Sequence, residues 1–210
     1  MKLLIFGATG ETGKLVVEGA LASGHNVVAY VRNPSKLDLH DEQLEVIQGE
    51  LSDQDGIGHA MQGADAVIST LGPRARQKGM PITHGMQNIL AAMQNQGVRR
   101  LIITSTLSAK DPDDALNSKA KSMVRLVKFL MRPAYEEIIH VAELVRASNC
   151  DWTLIRLSLL NNHPKTGSVK AGYISKGEVG TAISRADLAD FLLGQVVDTK
   201  YIRQAPAISN

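Results

Sequence analysis

Three glycines spaced by three, Gly7, Gly10 and Gly13 in "GATGETG", follow directly on the apolar run Leu3-Leu4-Ile5-Phe6. A short apolar run that stops at glycine reads as a buried strand. Beyond Gly13, apolar residues at Leu15, Val16, Ala20 and Leu21 repeat with helical spacing, and Gly24 is a C-terminal stop. A strand that turns through glycines into a helix leaves unpaired N–H groups and a partial positive charge at the turn. Side chains absent from the turn let a pyrophosphate come close, and Gly13 lets the helix pack tightly on the strand. Gly7, Thr9, Gly10, Glu11, Thr12 and Gly13 are therefore the candidate pyrophosphate-binding residues. Thr9 and Thr12 either bind phosphate or cap the helix. The spacing G-x-x-G-x-x-G differs from the G-x-G-x-x-G of most dehydrogenases. Lys14 is followed by Leu15, where a triphosphate-binding loop needs a hydroxyl, which speaks against that chemistry.

Apolar runs and helix-like segments then alternate, the pattern of an α/β protein with a doubly wound parallel sheet. Strands are expected at residues 2–6, 26–31, 44–48, 66–69, 100–104 and 152–156, and helices at 13–23, 53–62, 82–96 and 119–148. Pro133 should interrupt the last of these, with a new helix restarting near Ala134. A final helix starts at Ser184, and Asp187 three residues on resembles a capping box. The loop-like stretch "NNHPKTGSVKAGY" between them is expected to fold over the C-terminal ends of the strands as a small substrate-side cap. Residues 1–210 read as one dinucleotide-binding domain.

The second strand ends in "VVAYVRNPSK". An NAD site places a carboxylate there for the ribose hydroxyls, and this chain has Arg32, with Lys36 close behind. A guanidinium suits a 2′-phosphate, because it binds two phosphate oxygens and stacks on adenine. NADP(H) is the expected cofactor, with NAD(H) second. Glu50 and Leu51, after the third strand, could place an amide and an apolar wall beside adenine. Thr70, Leu71 and Gly72, after the fourth, would run past the ribose and pyrophosphate. Each stretch also fits a plain strand exit.

Other chemistries find little support. The net charge of +2 is mild and its basic residues are dispersed, which argues against nucleic acid. Arg99-Arg100 and the set Arg74, Arg76 and Lys78 read as solvated loop charges. The single Cys150 allows no intrachain disulfide and reads as a buried thiol. His140 and Glu143 share a helix face without a third ligand, so no metal is expected. His84 either reaches the cleft or sits at the helix surface. Met123, Leu126, Val127 and Leu130 form an apolar stripe that reads as core, with a cover for the substrate mouth or a partner as the alternative. No run approaches the ~18 apolar residues of a membrane span. Leu3–Phe6 is too short for a signal sequence, so a cytoplasmic protein is expected. The oligomeric state is not legible.

The segments "IFGATGETG", "VRNPSKL", "QGELSD", "ADAVISTLGP", "GMQNILAAMQNQGVRRLIITST", "DWTLIR" and "SRADLADFLL" together resemble the atypical short-chain dehydrogenase/reductase superfamily. The resemblance is to its NAD(P)H-binding branch, which holds flavin/biliverdin-IXβ reductases and NmrA-like proteins. It implies a Rossmann-like sheet of order 3-2-1-4-5-6 and NADP bound through Gly7–Gly13 and Arg32. It also implies Ser105 and Thr106 beside the nicotinamide, as the candidate catalytic residues. Conventional members use Tyr-x-x-x-Lys as their acid/base. Here Tyr30, Tyr135, Tyr173 and Tyr201 are followed four residues on by Pro34, Ile139, Gly177 and Ala205. Flavin/biliverdin reductases also lack that pair, since hydride can pass directly to a conjugated acceptor. The place of their substrate-side histidine is taken by Leu159, with His163 four residues further on. The resemblance therefore implies an NADPH-dependent oxidoreductase acting on a small flavin, quinone-like or conjugated carbonyl acceptor. The alternative is an NmrA-like NADP(H) sensor without turnover. The short C-terminal part and the missing tyrosine speak against the epimerases and dehydratases of the extended branch.

Overall fold

The apolar runs become the strands of a parallel sheet. The computed structural model describes residues 1–73, 79–114, 128–174 and 179–210. In it β1 (Lys2–Phe6), β2 (Asn26–Val31), β3 (Leu44–Gln48), β4 (Ala66–Ser69), β5 (Arg100–Thr106) and β6 (Asp151–Leu157) lie in the order 3-2-1-4-5-6. Alternation of side chains along each strand splits the core in two. On one face Leu4, Phe6, Val28 and Tyr30 pack against α2 (Gln54–Ala60), α3 (Pro81–Gln96) and α4 (Arg132–Ala147). On the other, Leu3, Ile5, Val27 and Ala29 pack against α1 (Glu11–Ala22) and α5 (Arg185–Gly194). Helices on both faces explain why β1 and β4 are apolar almost throughout.

Element edges shift for local reasons. α1 starts before Gly13, because Gly10 takes the N-cap position. β5 runs on to Thr106, held by register pairs Ser105 with Arg156 and Thr106 with Leu157. Pro133 sits in the first turn of α4, where its missing N–H costs no helical bond. The expected helical residues 119–127, including Met123, Leu126 and Val127, lie outside the described residues, as do Arg74, Arg76 and Lys78; Leu130 is exposed. No helix among the described residues is long and apolar enough to cross a membrane.

The C-terminal tail divides where a single cap was expected. β7 (Leu159–Asn161) and β9 (Ala182–Ser184) form a separate parallel pair just beyond β6. β10 (Ala207–Ser209) instead joins β6 in parallel, and β8 (Lys170–Gly172) pairs antiparallel with β10, so the main sheet has eight strands. The buried Arg156 guanidinium helps fix this extension, donating from Nε to the Ala205 carbonyl at 2.6 Å and pairing with Asp114. Arg100 is a second correction. It is no solvated loop charge but the half-buried first residue of β5, donating to the carbonyls of Asp151 and Gln195 and to Thr153 Oγ1. Burial lowers its pKa, against the pull of Asp151 and Asp198. Arg99 beside it is exposed and pairs with Asp151.

Candidate functional site

The glycine turn is a close fit of backbone on backbone. Gly7 has φ +82°, and a Cβ on it would lie 2.6 Å from Thr70 Oγ1. A Cβ on Gly13 would lie 2.1 Å from the Gly7 carbonyl, so α1 can start here only with glycine at that position. The Gly10 amide donates to the Gly7 carbonyl at 3.0 Å. Gly10 then caps α1 with no side-chain acceptor, so neither Thr9 nor Thr12 covers the first-turn amides. A bare helix N-terminus beneath glycine fits a pyrophosphate, which would supply the missing acceptors. Thr70 braces the turn from β4, within 3.3 Å of the Phe6 carbonyl and 3.2 Å of the Gly7 carbonyl.

Beside the turn lies a cavity of about 180 Å³ at the C-terminal edge of the sheet. It brings together Thr12, Thr70, Leu71 and Gly72 with Ser105 and Thr106 at the end of β5. Ile138 and Val141 of α4, Leu157, Leu160 of β7 and Leu188 of α5 supply apolar wall. Thr106 Oγ1 accepts from the Ser108 amide at 3.2 Å, while among the described residues nothing engages the Ser105 hydroxyl. None of the four tyrosines lines this space. Tyr30 is buried and donates to the Glu50 carbonyl, and burial raises its pKa, with Asp53 and Glu50 adding to the shift.

Glu137 also lines the cavity, and sequence reasoning missed it. It is 1% exposed, and its Oε1 accepts from the amides of Ile82 at 2.6 Å and Thr83 at 3.1 Å. It thus caps the N-terminus of α3 from a neighbouring helix. The signal was present: Glu137 falls in the stripe Ala134, Val141, Ala142 and Val145 that α4 buries. A carboxylate in a buried stripe implies a partner elsewhere in the fold.

The other candidates are placed outside this cavity. Arg32 is exposed just beyond β2, at the same sheet edge as Gly7, since Tyr30 is in register with Phe6. Asn33 caps the short 3-10 turn Pro34–Lys36 through a 3.1 Å bond from the Ser35 amide, and Lys36 ends that turn exposed. Glu50 is exposed, whereas Leu51 turns inward, against α3, where a Cβ on Gly85 would come within 2.8 Å of it. Leu159 is exposed and outside the lining, as are His84 and His163. Cys150 is buried, and burial pushes its thiol pKa up. Among the described residues no three His, Cys, Asp or Glu side chains converge on a point.

The doubly wound sheet and the glycine turn define a Rossmann-like α/β fold. Residues 7–199 match the family described as NAD(P)H-binding, and the chain belongs to that family. It is 33% identical over 119 residues to the 3 beta-hydroxysteroid dehydrogenase/Delta 5-->4-isomerase of Mycobacterium tuberculosis, covering 51% of this chain and 32% of that protein. The chain spans about a third of the length of the first curated relatives it matches. Among solved structures, ChuY, an anaerobillin reductase from Escherichia coli O157:H7, superposes with TM-score 0.79 at 22% identity, covering 100% of this chain and 97% of that one. A short-chain dehydrogenase/reductase from Veillonella parvula in complex with NADP superposes with TM-score 0.75 at 19% identity, covering 100% and 94%. These two structures share the fold.

Proposed function

We propose that this protein is an NADPH-dependent reductase that passes hydride to a flavin, a quinone-like compound or another conjugated carbonyl acceptor. The observation that carries this reading is the apolar cavity at the end of β5, which offers the Ser105 and Thr106 hydroxyls and no tyrosine. A hydroxyl there orients a ring by hydrogen bonding but is too weak an acid to drive reduction of an isolated ketone. A conjugated acceptor avoids that need, because it delocalises the charge that hydride brings and takes its proton from water. The balance is NADPH + acceptor + H⁺ giving NADP⁺ and the two-electron-reduced acceptor.

When bound, the dinucleotide supplies the hydride; the chain supplies position. Gly7, Thr9, Gly10, Glu11, Thr12 and Gly13 form the pyrophosphate cradle, and Arg32 with Lys36 receives the 2′-phosphate. Thr70, Leu71 and Gly72 run along the ribose, and Glu50 and Leu51 stand nearest adenine. The relatives named as a dehydrogenase and a reductase support hydride chemistry on this scaffold.

Steady-state NADPH oxidation with FMN, riboflavin, simple quinones and conjugated ketones tests the reading. Turnover above the free-cofactor background is expected with at least one of them. Arg32→Ala should weaken NADPH binding about tenfold or more and leave NADH unchanged, since a charge-assisted phosphate contact is worth ~1.5–3 kcal/mol. If calorimetry finds unequal affinities for NADP⁺ and NADPH and no acceptor turns over, the protein is a sensor and the reductase reading falls.

A further inference from the structure

The guanidinium of Arg185 bridges the first turns of two helices. Arg185 is the first residue of α5, at the positive end of that helix. Its Nε lies 2.9 Å from Oε2 of Glu11, the first residue of α1, so it also faces the positive end of a second helix. Glu11 is an exposed partner, its side chain 69% accessible against 22% for Arg185. A pair with so exposed a partner contributes little to stability. The second anchor is Asn162, just after β7, whose Oδ1 accepts from Arg185 Nη1 at 2.7 Å.

Thr12, next to Glu11, and Leu188, one turn on from Arg185, line the same cavity, so the two first turns border one space. The first-turn amides of α1 have no side-chain cap, whereas α5 is already capped by Ser184, so the open α1 terminus and the Arg185 guanidinium are the groups that remain for an anion. A dianionic pyrophosphate satisfies both the α1 amides and the guanidinium, and its oxygens match the planar fork of arginine. In the structure Glu11 engages that fork. We propose that Arg185 is a pyrophosphate-binding residue, its guanidinium exchanging Glu11 for the dinucleotide phosphates while Asn162 keeps it oriented. The proposal rests on the reading of "GATGETG" as the pyrophosphate site.

Calorimetric titration of the full chain with NADPH, NADH and adenosine 2′-phosphate tests it. Arg185→Ala should weaken NADPH and NADH alike, by about tenfold, because both carry the pyrophosphate. Adenosine 2′-phosphate, which has none, should bind Arg185→Ala within twofold of wild type. Glu11→Gln should tighten NADPH, because the competing carboxylate is gone. Glu11 is exposed, so this variant keeps the test open even if Arg185→Ala does not fold. Unchanged NADPH affinity in Arg185→Ala overturns the proposal, and so does a weaker affinity in Glu11→Gln, which would make the two residues a structural pair. A wild-type chain that binds neither dinucleotide overturns this proposal and the reading of the turn together. Wild-type binding with unaffected variants overturns only the role of Arg185.

Discussion

Glu137 shows how one side chain can hold the wall of a cavity. Its carboxylate accepts from two amides at the start of α3, Ile82 and Thr83, and the same residue faces the space beside Ser105 and Thr106. Glu137→Ala strands both amides without water, and should destabilise the fold by about 2–4 kcal/mol. Glu137→Gln keeps an acceptor for both and should cost about 1 kcal/mol. Urea unfolding at pH 7 separates the two; equal losses would mean that the capping bonds are not what Glu137 contributes. Arg100 is the companion case on the basic side, a charge spent inside the molecule on carbonyls from β6 and the end of α5. The sequence named neither set of partners, because each lies 50 or more positions away.

Among the elements, α5 is tied down by its own first turn. Ser184 caps it as its spacing predicts, Oγ accepting from the Asp187 amide at 3.1 Å. The Asp187 carboxylate then takes on more than a capping box needs. It accepts from the Thr166 and Gly167 amides, the Ser184 hydroxyl and the Asn210 side chain, joining α5 to the loop before β8 and to the C-terminus. Burial disfavours its charge, but the Thr166 amide, the Ser184 hydroxyl, the Gly167 amide and the Thr166 hydroxyl outweigh it and hold the pKa well below the usual carboxylate range. A depressed pKa in the folded state gives stability that is complete above the unfolded value of about 3.9 and is lost as pH falls below it. Asp187→Asn should therefore cost about 2–3 kcal/mol at pH 7, and its stability should change less than that of wild type between pH 4 and pH 2. Parallel pH dependences of Tm in the two proteins would contradict this. The glycine turn was legible at this scale down to single residues, while the split of the tail was not. Nothing local in "KAG" or "AIS" says which sheet a three-residue strand will join.

Across the whole molecule, α1 and α5 cover one face of the sheet and α2, α3 and α4 the other, and the site lies at the strand ends between them. A ligand that spans this edge contacts the folded state alone, so binding raises stability by mass action. NADPH at about 100 times its Kd should add ~2.7 kcal/mol, a rise of about 5–10 °C in Tm for a chain of this size. NADH at the same concentration should give a smaller rise, because Arg32 gains nothing from it; equal shifts would remove the NADP preference. The sequence by itself determined the alternating α/β pattern, the order of the six central strands through its family resemblance, and the glycine turn. Those follow from short-range rules, in which apolar period, glycine backbone and helix caps act within a few residues. The tertiary structure decided that Glu137 would cap α3 and that Arg156 would hook the C-terminal strand. It also set Arg185 against Glu11 at the start of α1 and brought Ser105 and Thr106 to the cavity that Thr12 and Gly72 share. Such pairings join segments distant in sequence, and only packing the helices on both faces of the sheet brings them within reach of one another.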